Sequence, residues 1–123
     1  MDAHNIFREI GRMAYAVAKS NGEVKEKEVE SIFYFIDEEM EELGNNDVMS
    51  VGEEFTKLRR MNVSAKDAFL MFLNFVERNG NSLHNSLKKM CIRLAVKIAN
   101  ADESADETET AMINKLMKKL EMN

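Results

Sequence analysis

Proline and tryptophan are absent from this chain, cysteine occurs once, and glycine five times in 123 residues. Each shortage removes a class of structure. Without proline nothing deletes a backbone amide inside a helix, so long uninterrupted helices are permitted. The lone Cys91 excludes an internal disulfide and fits a reducing compartment. His4 and His84 have no second His or Cys at ligand spacing, which removes a zinc site. No apolar run approaches the roughly 18 residues of a membrane span. Met1-Asp2-Ala3-His4 lacks the basic start and apolar stretch of a signal peptide, so a cytoplasmic location is expected. Alternating apolar and polar residues, the mark of a half-buried strand, are found nowhere in the chain.

What is present is the composition of a helical protein. Met numbers 10, hydrophobic residues are 45% and charged residues 32%, too apolar for disorder. The length, residues 1–123, suits one domain with a core that needs no staple. The net charge of −5 is unevenly placed: residues 1–62 hold 14 acids and 8 bases, while residues 63–123 hold 8 acids and 9 bases. An acidic first half argues against nucleic acid and favours a cation or a basic partner.

Helical periodicity predicts six helices, or seven if the region 38–62 breaks once more. The first runs from about residue 3 to Ser20, with Ile6, Ile10, Met13 and Val17 on a broad apolar face. Gly11 in its middle costs about 1 kcal/mol against alanine and implies a close neighbour; Asn21-Gly22 stops it. The second takes 25–43, burying Val29, Ile32, Phe33, Ile36, Met40 and Leu43 and ending at Gly44. Its outer face carries Glu26, Glu30, Asp37, Glu38, Glu41 and Glu42. The third spans roughly Asp47 to Met61, capped by Asp47 or Asn46. Ser64 caps the fourth, whose segment 68–76 is apolar almost all round and is expected to be the central helix. Ser82 caps the fifth, 83–100, which carries a basic stripe of Lys89, Arg93 and Lys97. The sixth covers 106–121 and packs Met112, Ile113, Leu116, Met117 and Leu120.

Two turns between these helices resemble each other. Residues 18–28 align on residues 99–109 at a constant offset of 81 without a gap, so that Ala18 falls on Ala99, Asn21 on Asp102, Val24 on Ala105, Glu28 on Glu109 and, beyond, Ile32 on Ile113. Capping alone requires neither the upstream alanine nor the downstream isoleucine. The chain therefore carries two acidic helix-turn-helix corners.

The pattern Ala-x-x-Asp-Gly-x-Val-x-x-x-Glu, twice in a small all-helical chain, resembles the TerB family, which spans tellurite-resistance proteins and the TerB-like N-terminal domain of the DjlA co-chaperone. The first corner has Asn21 in place of the family's aspartate and keeps Gly22, Val24 and Glu28; the second keeps Asp102 and Glu109 but has Glu103 in the glycine place. The resemblance implies a non-enzymatic acidic module of a tellurite or metal stress response, with divalent-cation binding and no catalysis.

The residues themselves favour a structural role for the glutamates first. Asp106 caps the last helix and Glu109 reaches back, a capping box. At the aligned place Lys25 cannot accept from the helix amides, while Glu28 still reaches the Lys25 amide. Against that stands a cation site drawn from both corners. Its candidates are Asn21, Glu23, Glu26 and Glu28 with Asp102, Glu103, Asp106, Glu107 and Glu109, and its oxygen donors suit Ca2+ or Mg2+. Asn100, Asp102, Ser104 and Asp106 alternate as in an EF-hand, but Ala105 and Ala111 stand where the turn glycine and bidentate glutamate are needed, which excludes one. The rival reading is an adaptor whose Glu30, Asp37, Glu38 and Glu41 dock a basic partner or a second copy of the chain. No organic-cofactor motif and no catalytic constellation is present, and Cys91 on an apolar face suits core packing, so no enzymatic activity is expected.

Overall fold

In the computed structural model, residues 3–40, 48–79, 83–102 and 105–121 are described; they form a bundle of six α-helices with no strand among them. The helices are α1 (Ala3–Lys19), α2 (Glu26–Phe35), α3 (Met49–Arg60), α4 (Ala65–Asn79), α5 (Asn85–Ala99) and α6 (Glu107–Glu121), with a π-turn at Ile36–Met40 continuing α2.

The helix at the centre is α1, not α4. It touches all five others, and Met13 to Ala18 are buried without interruption. The reason is size. Ala14, Ala16 and Ala18 alternate with larger residues, so neighbours approach α1 from every side, whereas the bulkier α4 packs on α1 and α6 and leaves Leu70 45% exposed. Gly11 explains the tightest approach: a Cβ there would stand 2.6 Å from the Val51 carbonyl oxygen on α3. Tyr15, fully buried, packs edge-on against Phe55 with ring centroids 5.9 Å apart and donates its hydroxyl to the Val63 carbonyl at 2.6 Å.

The predicted stops and caps form by the expected chemistry. Gly22 takes φ +97° and its amide bonds to Lys19 O at 2.8 Å. Ser64 Oγ accepts the Asp67 amide at 3.1 Å. The helix predicted over 25–43 changes character at Ile36. Widening to i→i+5 bonding brings residues four apart nearer one azimuth, so Ile36 and Met40 both stay buried while Asp37 and Glu38 turn outward. Phe33, expected inside, is 39% exposed, and the buried aromatic is Phe35. The caps expected of Asp47, Asn46 and Ser82, the stop at Gly44 and the burial of Leu43 lie outside the described residues. Leu83 and Leu87 are half-buried, and α5 begins after His84, whose backbone is extended.

Candidate functional site

The two corners meet. They join α1 to α2 and α5 to α6, and α2 packs across α5. The equivalences at offset 81 hold in burial: Ala18 and Ala99, Ile32 and Ile113, Glu28 and Glu109 are all buried, and Val24 and Ala105 are both half-buried. The Glu28 and Glu109 side chains, 2% and 4% exposed, face each other across the joint.

Each glutamate is held first by its own helix. Asp106 and Glu109 form the complete box: the Glu109 amide donates to Asp106 Oδ1 at 2.8 Å and the Asp106 amide to Glu109 Oε1 at 3.1 Å. In the first corner only half of that box exists, the Lys25 amide donating to Glu28 Oε1 at 2.8 Å. The Lys25 ammonium, a donor only, turns instead to Asp102 of the other corner at 3.5 Å, where Lys27 also reaches to 3.9 Å. Asn21 donates to Asp106 Oδ2 at 3.4 Å. Asn100 closes the second turn by accepting the Ala105 amide at 3.2 Å, so its side chain is spent on the loop.

The two carboxyls lie close enough to interact, and carboxyls so placed share a hydrogen bond only with a proton between them. Burial pushes the Glu28 carboxyl up to about 7. The Lys25 amide opposes the rise, the Glu109 carboxyl adds to it, and the Lys25 charge opposes it again. Beside the pair lies a cleft of about 50 Å³ lined by Asn21, Lys25, Glu28, Ala99, Asp102, Asp106 and Glu109. That is room for a cation or a water molecule.

The structure thus gathers five of the candidate residues, Asn21, Glu28, Asp102, Asp106 and Glu109, and leaves Glu23, Glu26 and Glu107 out of the cleft lining. Glu26 turns to Arg59 on α3 at 3.7 Å. Glu107 lines a separate groove with Phe69 and Lys115, Glu23 is exposed at the turn, and Glu103 lies outside the described residues. Lys25 is the member that sequence reasoning passed over. The signal was there, because a lysine stands where the repeat puts Asp106. On the face of α2 and its π-turn, Glu30, Asp37 and Glu38 are exposed, while Glu41 lies outside the described residues. The Arg93 and Lys97 stripe is taken up by Glu39, at 3.4 and 2.6 Å.

A family model described as tellurite resistance protein TerB matches residues 9–123, both corners included. The chain belongs to the TerB family. No curated protein and no solved structure matches it. In this TerB module the donor set is carboxylate and amide oxygen, the chemistry of a hard cation. As the side chains stand, no three His, Cys, Asp or Glu among the described residues are grouped to hold a metal. The Lys25 ammonium holds Asp102, and burial beside Glu109 raises the affinity of Glu28 for a proton. No helix of the described residues is long and apolar enough to cross a membrane.

A third buried acid lies outside the corners. Glu54 on α3, 6% exposed, accepts Arg12 Nε at 3.0 Å, with Arg8 at 4.0 Å, and Arg12 also pairs with Glu9. Cys91 is buried, and burial pushes its thiol up to about 12, so it remains protonated and inert.

Proposed function

We propose that this TerB chain is a non-enzymatic module that binds a divalent, oxygen-preferring cation, Ca2+ or Mg2+, in the cleft between its corners, and that it acts in a tellurite or metal stress response, the first of which the family's description names. The observation that carries the reading is the facing pair Glu28 and Glu109. Two buried carboxyls pressed together need a positive charge between them, and a proton and a metal ion compete for that place. Asp102, Asp106 and Asn21 stand at the mouth and supply further oxygens. Binding requires the Lys25 ammonium to leave Asp102, so an arriving cation replaces an ion pair within the cleft.

Thermal unfolding of chelator-treated protein, with calcium, magnesium or zinc added singly, tests this. An ion at 100 times its dissociation constant adds about 2.7 kcal/mol if it binds the folded state alone, a rise of several degrees in Tm. The rise is expected with calcium or magnesium, and is expected to vanish in Glu28→Gln and in Asp102→Asn/Asp106→Asn. Glu28→Gln keeps the acceptor for the Lys25 amide, so loss of the response is not loss of the cap. No shift at millimolar calcium and magnesium sinks the cation reading.

A further inference from the structure

The face built by α2, its π-turn and α3 carries a feature that the corners do not use. Between these helices lies an open trough of about 340 Å³, with Phe33, Ile36, Met49 and Gly52 contributing its apolar surface. Phe33 and Met49 are 39% and 60% exposed, an unusual surface for a chain that buries its other phenylalanines more fully. Phe33 is held in place. Its ring lies on Gly52, where a Cβ would stand 2.6 Å from Phe33 Cε1, and meets Phe55 edge-on at 6.5 Å between centroids. A glycine inside α3 costs about 1 kcal/mol, and here it admits the ring that shapes the trough.

Charge selects the occupant. Asp37 and Glu53 line the trough and are exposed, while Glu30 and Glu38, also exposed, lie on α2 and its π-turn outside the lining. The guanidinium at the trough is Arg60, since Arg59 is turned to Glu26. Two carboxylates in the lining against one guanidinium, on the half of the chain that holds 14 acids and 8 bases, complement a helix with apolar side chains along one stripe and lysine or arginine on either side. The trough is open to solvent rather than enclosed, so it would leave much of a small molecule uncovered, which argues against one. A second copy is disfavoured because the chain carries −5 overall and its Arg93–Lys97 stripe is already paired with Glu39.

We propose that the α2–α3 trough docks a basic amphipathic helix of a protein partner, with an apolar side chain seated against Phe33 and Met49. The inference is independent of the cation reading and is tested in chelator, where the corners hold no metal.

The probe is a labelled helical peptide of about 18 residues, roughly five turns, with leucines on one face and lysines elsewhere. Fluorescence anisotropy reads its affinity, and backbone amide shifts of the protein read its location. Saturable binding below about 100 μM is expected, with shifts concentrated on Phe33, Gly52, Glu53 and Thr56. Asp37→Lys/Glu53→Lys and, separately, the exposed Met49→Asp are each expected to weaken it about tenfold or more with an unchanged melting curve. Asp67→Lys on α4 is expected to leave it unaltered. Peptides with the leucines made serine, or the lysines made glutamate, are expected not to bind. Binding that survives loss of the leucines, or shifts spread over every acidic surface, overturns the proposal as bulk charge attraction. No binding overturns it too, and so does self-association abolished by Met49→Asp, which assigns the trough to a second copy.

Discussion

At the residue scale the molecule turns on Glu28. Its carboxyl titrates near 7 in the folded chain against an ordinary value of 4.5, so between those values the folded state holds a proton that the unfolded state has lost. Stability from this group is therefore fully present below about pH 4.5, declines as pH rises towards 7, and is gone above it. The swing is at most about 3 kcal/mol, and less where water reaches the cleft. Glu28→Gln supplies a permanent hydrogen-bond donor towards Glu109 and carries no charge. In chelator, the difference in Tm between this variant and the parent is expected to grow in the variant's favour from pH 5 to pH 8; parallel curves would remove the shared proton from the account. That Glu28 and Glu109 cap their helices was legible from three-residue spacing alone, because capping is local. That they touch was not, because 81 residues separate them.

At the scale of elements, helices whose residues lie three and four apart in register were readable almost to their ends, and errors concentrate where neighbours intervene. Period alone gave Ile32, Ile36 and Met40 a common face, and the structure keeps that face by widening the turn at Ile36–Met40. Phe33 and Phe35 could not be told apart by hydrophobicity, since their burial depends on other helices: Phe33 rests on Gly52 of α3 at the surface, and Phe35 is fully buried with Lys97 of α5 over its ring. Gly11 offers the clearest test. Alanine is the better helix former by about 1 kcal/mol, yet its Cβ would press on the Val51 carbonyl, a backbone atom that cannot step aside. Gly11→Ala is expected to lower the unfolding free energy by about 1–3 kcal/mol in denaturant titration; a gain would mean that α1 and α3 part easily.

At the scale of the whole molecule, α1 is the post around which the bundle is built, and its residues Met13–Ala18 have no route to water except through global opening. Native-state hydrogen exchange is expected to be slowest there and faster on the outer turns of α4, because an amide protected on every side exchanges only when the bundle unfolds. If α4 proved the slower, its apolar segment would be the centre after all. Sequence by itself determined the helical class, the repeat and the TerB resemblance, since absent proline, helical period and capping chemistry all act within a few residues. It also supplied every acid of the inter-corner cleft. Tertiary structure alone decided which acids converge there, that Lys25 neutralises Asp102, that Arg12 serves Glu54, and that α1 rather than α4 lies at the centre. Those outcomes depend on how closely helices approach, and closeness is set by small residues on one element meeting large ones on another, a relation that no single stretch of chain contains.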